Sequence, residues 1–215
     1  MQHIIIAIVI LFSSSPILKL ANKLSFNLLD TSYLFVGVYV FWFLSEVVLN
    51  RIFISKKEDS KSKDKGTLNL IWVLIFIANF LAIYLTNYNF RIAEGEFISY
   101  LGLLIICIGV ILRLTIILSL GKFFTVNVTI KEDHRLKTNG FYKYLRHPSY
   151  TASLLSFIGF GISLNNWFSL LIIFIIILTA FLIRIKTEEK VLVNYFGVDY
   201  LNYRKSTKKI IPFIY

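Results

Sequence analysis

Long apolar runs separated by short clusters of lysine, serine, asparagine and glycine set the pattern of this chain. Four runs, Ile4 to Leu20, Tyr33 to Ile54, Leu68 to Leu85 and Phe97 to Leu120, are long enough or nearly so to cross a hydrocarbon core. Such a core is about 30 Å thick, and a helix rises about 1.5 Å per residue. A fifth apolar region, Tyr150 to Ile183, is too long for one simple span and is interrupted at Asn165 and Asn166, which predicts a helical hairpin. Pro148 suits the first turn of that hairpin, because a helix start has no use for the missing N–H. Beyond it, Lys186 to Tyr203 reads as the last helix continuing out of the bilayer, broken at Gly197. The expected fold is all-α: a polytopic helical membrane protein with about four spans plus a C-terminal membrane helical hairpin.

Composition supports this. Of 215 residues, 57% are hydrophobic and 16% charged, too apolar for an ordinary soluble domain. No Lys or Arg precedes the first run and no small-x-small cleavage site follows it, so it is read as a retained helix rather than a signal peptide. The single cysteine, Cys107, lies inside an apolar run, which excludes a disulfide framework and a cysteine-based metal motif, and no metal site is expected. A net charge of +11 raises nucleic acid as a partner. The basic residues instead flank the spans, where membrane orientation explains them. They lie from Arg51 to Lys65, from Lys122 to Arg146 and from Arg184 to Lys209, whereas Thr86 to Glu96 holds only Arg91. The positive-inside rule therefore places the N-terminus, the Ser55 to Gly66 loop, the Gly121 to Ser149 segment and the C-terminal tail in the cytoplasm, on one side.

Two regions follow: transmembrane helices over residues 1–95, and a region over 96–215 that carries the polar motifs. Lys122 to Tyr144 is too polar to span and is placed at the interface, with Asn139-Gly140 as a turn signal. Glu46 and Arg113 stand at similar depth in their spans, so an ion pair is expected. It either fixes helix register or lets Arg113 line a site open to the cytoplasm.

Arg184 and Glu188 share a helix face, which alone fits a routine salt bridge. A lone histidine at a membrane interface is more often structural than catalytic. Here, however, the polar residues form a set: Gly140-Phe141-Tyr142, Arg146-His147-Pro148-Ser149-Tyr150, the hairpin, Arg184 with Glu188-Glu189, Phe196-Gly197, Tyr200, Tyr203 and Ile211-Pro212-Phe213-Ile214. This set resembles the isoprenylcysteine carboxyl methyltransferase family of integral membrane enzymes, from Leu101 to the C-terminus. The resemblance implies a cytoplasmic cofactor-binding segment for S-adenosylmethionine, surrounded by Asn127, His134, Arg135, Leu136, Lys137, Tyr142, His147, Pro148, Ser149 and Tyr150. Glu188 would contact the cofactor's polar end and Arg184 the methyl acceptor, the two making up the catalytic pair. Eukaryotic members tend to carry Gln at the position of Asn127 and Leu-Val at Leu136-Lys137.

The chemistry of such a site is consistent with these residue types. A cationic sulfonium and an ammonium call for aromatic walls and a carboxylate, which Tyr142, Tyr150 and Glu188 offer. An acceptor carboxylate is already deprotonated near neutral pH, so it needs positioning and desolvation more than a base. Arg184 offers a planar two-point grip for it. The expected partner is a lipid-like or prenylated acceptor entering from the bilayer, most simply the carboxylate of an isoprenylated cysteine. A phospholipid amine would instead require His147 or Glu189 as base, and a small thiol would require thiolate stabilisation. The sequence leaves these acceptors open. A non-catalytic membrane protein on the same scaffold is a further alternative, although the repeated halves of many transporters are missing.

Overall fold

The computed structural model describes residues 31–52, 66–121, 124 and 136–211. The predicted first span, most of Lys122 to Tyr144 and nearly all of the Ser55 to Gly66 loop lie outside the described residues, as do Asn127, His134 and Arg135. Among the described residues six α-helices follow one another: α1 (Thr31–Ile52), α2 (Thr67–Leu85), α3 (Phe97–Leu120), α4 (Pro148–Ser163), α5 (Trp167–Phe196) and α6 (Val198–Ser206), with a 3₁₀ turn at Gly140–Lys143 before α4. In lipid the backbone must satisfy its own hydrogen bonds, which makes the helix the available form for these apolar runs. Among the described residues, three helices, α2, α3 and α5, are long and apolar enough to cross a membrane. The apolar part of α1 is shorter, Leu34–Leu49. Side chains such as Val40, Leu104, Ile111, Leu118 and Ile175 stand exposed on the outside of the bundle, as a lipid-facing surface requires.

The break at Asn165 and Asn166 is the hairpin turn, and both side chains are used there. Asn165 adopts a left-handed φ of 49°, which asparagine tolerates better than most residues. Its Oδ1 accepts from the Ile92 and Ala93 amides at 3.2 and 3.1 Å, and its Nδ2 donates to the Ala93 carbonyl at 2.9 Å. Asn166 caps α5 by accepting from the Ser169 amide at 3.1 Å, while its Nδ2 donates to the Tyr88 carbonyl at 2.8 Å. The turn is thereby tied to the α2–α3 connection at the end of the bundle away from the motif residues.

Small residues bring α3 and α4 into backbone contact. A Cβ placed on Gly102 would lie 2.3 Å from the Ser163 amide nitrogen, and one on Gly109 would lie 2.7 Å from that of Ser156. Gly159 is equally confined, 2.7 Å from the Ile106 nitrogen. Such close approach replaces the hydrophobic drive that lipid cannot supply between helices. Around this pair the core holds Trp42, Ile106, Phe157, Phe160, Ile173 and Phe181. Trp42 meets Phe157 edge-on at 4.8 Å, and the Tyr39 hydroxyl bonds Ser163 Oγ at 2.7 Å, fastening α1 to α4. Ser169 Oγ donates to the Ala82 carbonyl at 2.6 Å and does the same between α5 and α2.

Candidate active site

The motif residues converge where α4 begins and the polar end of α5 emerges. Pro148 occupies the first turn of α4, as expected, and is buried. His147 precedes it, and its backbone amide donates to the Lys209 carbonyl at 3.1 Å. Arg184, Glu188 and Glu189 lie on α5, the first two one turn apart. At Gly197 the chain takes a φ of 56°, open to glycine and strained for most residues, so α5 ends and α6 folds back.

Glu188 and Glu189 enclose His147. Its Nδ1 lies 3.4 Å from Glu188 Oε2 and its Nε2 lies 3.5 Å from Glu189 Oε1. Burial opposes a charge on the imidazole, but the two carboxylates outweigh it and raise the His147 pKa above its ordinary value. Glu188 also accepts from the Tyr150 hydroxyl at 2.5 Å and lies 3.4 Å from Arg184 Nε. Arg184 is 1% exposed, and its Nη1 donates to Thr67 Oγ1 at 2.5 Å, at the start of α2. The buried Tyr200 hydroxyl has no hydrogen-bond partner among the described residues, and His147 Nε2 has only its ion-pair contact with Glu189.

A second layer holds this cluster. Arg146 Nε lies 2.8 Å from Glu189 Oε1, and its Nη1 donates to the Arg204 carbonyl at 3.1 Å and to the Thr207 carbonyl. Tyr142 is buried in the 3₁₀ turn, and burial first, then Tyr203 and Glu188, raises its phenol pKa. Lys137 Nζ lies 5.9 Å from the Tyr142 ring and donates to the Ser119 carbonyl. Leu136 borders an open groove of about 620 Å³ with Thr138, Lys143, Asn202, Tyr203 and Thr207.

Of the residues expected from sequence, Tyr142, His147, Pro148, Ser149, Tyr150, Arg184 and Glu188 come together here. Leu136 and Lys137 lie on the adjoining segment. Sequence reading gave no site role to Arg146, although it stands in the quoted motif, and none to Thr67, Tyr203 or Thr207. Nothing in the local sequence around Thr67 marks it.

A histidine held between two carboxylates thus stands at the mouth of the hairpin of a polytopic helical membrane protein. Residues 101–194 match the isoprenylcysteine carboxyl methyltransferase (ICMT) family. The chain is 35% identical over 172 residues to protein-S-isoprenylcysteine O-methyltransferase B of Arabidopsis thaliana, covering 79% of this chain and 81% of that one. This stretch exceeds the segment from Leu101 to the C-terminus, so the similarity reaches into the N-terminal helices. Protein-S-isoprenylcysteine O-methyltransferase A of the same plant is 35% identical over 119 residues, covering 54% of this chain and 60% of the relative. The corresponding enzyme of Schizosaccharomyces pombe is 35% identical over 133 residues, covering 61% of this chain and 54% of the relative. A solved structure of the eukaryotic intramembrane Ras methyltransferase ICMT, without a monobody, superposes with a TM-score of 0.56 at 28% identity, over 85% of this chain and 64% of that one. The chain belongs to the isoprenylcysteine carboxyl methyltransferase family.

Proposed function

We propose that the protein is a membrane methyltransferase that transfers a methyl group from S-adenosylmethionine to the carboxylate of an isoprenylated cysteine. The single observation that carries this reading is the Glu188 carboxylate, aligned by Tyr150, His147 and Arg184. The residues fit the cofactor: the Glu188 carboxylate for its ammonium, the Tyr142 and Tyr150 rings for its walls, and the unpartnered Tyr200 hydroxyl for its amino-acid end. Asn127, His134 and Arg135 are assigned to the same wall by resemblance alone, with Leu136 and Lys137 continuing it. Once bound, the cofactor supplies an electrophilic methyl carbon on a sulfonium.

Everything else falls to the chain. Glu188 holds the ammonium, the apolar walls exclude water, and Arg184 orients the acceptor carboxylate so that its oxygen faces the methyl in line. A base is not needed for this acceptor. Glu189 is engaged by Arg146, and both imidazole nitrogens of His147 face carboxylates. This disfavours the amine alternative, which must lose a proton. The acceptor's lipid-like tail comes from the bilayer, and the water-soluble cofactor comes from the cytoplasmic side, where the Lys/Arg excess places the motif end.

Calorimetry with S-adenosylmethionine on the purified protein and its Glu188→Gln variant tests the cofactor site; the variant should lose about 1.5 to 3 kcal/mol of binding. Absence of saturable binding by the wild type refutes the enzyme. Turnover of a farnesylated cysteine analogue, a phosphatidylethanolamine and a small thiol then identifies the acceptor. With the correct acceptor, Arg184→Ala should lose turnover and Arg184→Lys should recover little of it. Methylation of only the amine or the thiol overturns the carboxylate assignment.

A further inference from the structure

Arg113, on α3, joins three helices. Its Nη1 donates to the Ser149 carbonyl in the first turn of α4 at 3.1 Å. Glu46, on α1, holds the same guanidinium, with Nε 2.8 Å from Oε1 and Nη2 donating to Oε2 at 3.1 Å. The two side chains are only 17% and 19% exposed. A cation beside the positive end of a helix is electrostatically opposed, and Glu46 supplies the countercharge that makes the placement tolerable. An ion pair that served only to set helix register would need α1 and α3 alone. The third contact, to Ser149, is superfluous for that purpose.

Ser149 lies between the two donors that meet Glu188. His147 is two residues earlier, and Tyr150, whose hydroxyl reaches Glu188 at 2.5 Å, is the next residue. A shift of this turn moves both donors together, and a displacement reaction loses about a hundredfold for a misplacement near 1 Å.

We propose that Arg113 is a positioning residue: through the Ser149 carbonyl it fixes the first turn of α4, so that His147 and Tyr150 hold Glu188 in place. Glu46 fixes the guanidinium in turn. The functional consequence rests on the methyltransferase reading above, whereas the positioning itself does not.

Three variants separate the roles: Glu46→Gln, Arg113→Gln and the charge swap Glu46→Arg with Arg113→Glu. Each is measured for thermal stability, S-adenosylmethionine affinity and amide hydrogen exchange at Tyr150 and Thr151. Glu46→Gln leaves the guanidinium able to reach Ser149, so it should lose stability with a far smaller loss of affinity. Arg113→Gln should lose about tenfold to a hundredfold in affinity and exchange faster at both amides. The swap restores the ion pair without the Ser149 donor, and should recover stability but not affinity. If the swap does not fold, Arg113→Lys takes its place, since an ammonium keeps the charge beside Glu46 but cannot fork to both groups. Affinity restored together with stability, or losses in the two single variants proportional to their loss of stability, overturns the positioning role. Absence of cofactor binding by the wild type refutes the methyltransferase reading instead, and unchanged exchange in a folded Arg113 variant then still refutes positioning.

Discussion

The Tyr203 hydroxyl donates to the backbone carbonyl of Tyr142 at 2.6 Å, linking α6 to the 3₁₀ turn across 61 residues. Around it the C-terminal segment runs alongside the loop that leads into α4. The Arg146 amide donates to the Lys208 carbonyl at 2.8 Å, and the Lys208 amide donates to the Tyr144 carbonyl at 3.1 Å. Thr151 Oγ1 reaches the Ile210 carbonyl at 2.6 Å. The tail therefore fixes the backbone from which Tyr142 and His147 project.

Breaking this strap should be costly at Arg146. Its pair with Glu189 is buried, the two side chains being 7% and 8% exposed, so Arg146→Gln leaves the carboxylate with only the longer contacts to His147 and Arg204. Loss of one member of a buried pair costs about 3 to 5 kcal/mol. Tyr203→Phe removes one neutral hydrogen bond and should cost about 1 kcal/mol. Denaturation in detergent checks both, and a larger loss for Tyr203→Phe than for Arg146→Gln contradicts the ordering.

His147 gives the fold a pH dependence of definite sign. Its folded pKa lies above the unfolded value of about 6.5, so the stabilisation is complete below that pH and is lost as pH rises through the folded pKa. Melting temperatures measured from about pH 6.5 upward should fall in the wild type. The His147→Gln variant should lack that component. Parallel profiles for the two proteins would show that the imidazole carries no extra proton in the fold.

Substitution at Gly109 tests the α3–α4 contact. A new Cβ there would meet Ser156 Oγ at 2.3 Å and the Ala152 carbonyl at 2.9 Å, so relief requires backbone movement. Gly109→Ala should destabilise by about 1 to 3 kcal/mol, the usual cost of overpacking. Gly37 has nothing within 4 Å of a Cβ, and Gly37→Ala is the matched control, expected to leave the melting temperature nearly unchanged. Equal effects of the two would remove the steric argument.

Sidedness follows from charge and is checked by labelling. In a Cys107→Ser background, cysteines at Ser60 and Lys205 should react from the cytoplasmic side, and one at Tyr88 from the opposite side. Lys205 and Tyr88 are both exposed. Labelling of positions 60 and 205 from different sides would contradict the topology.

Features that depend on chain order alone were legible in the sequence. The polar interruption at Asn165-Asn166 marked the hairpin, Pro148 marked a helix start and Gly197 a helix end. The Glu46–Arg113 pair was legible for a different reason: an unpaired charge in lipid is so unfavourable that two of opposite sign at one depth imply each other. Contacts set by how helices lie across one another were not legible. The hydrogen bond from Arg184 to Thr67 spans 117 residues, and no periodicity predicts it. Arg146 was visible in its motif, yet its partners on α5 and in the tail depend on the return of the chain after Gly197. The role of Gly102 and Gly109 likewise depends on Ser156, Gly159 and Ser163 standing opposite them, which no local pattern specifies.

That glycine contact also limits how the bundle can admit a molecule from the side. With backbone atoms of α3 and α4 touching along Gly102, Gly109 and Gly159, no acyl or prenyl chain fits between these two helices. Parting them would break this backbone contact. On the proposed function, an acceptor tail arriving from the bilayer would therefore have to enter along a different helix boundary.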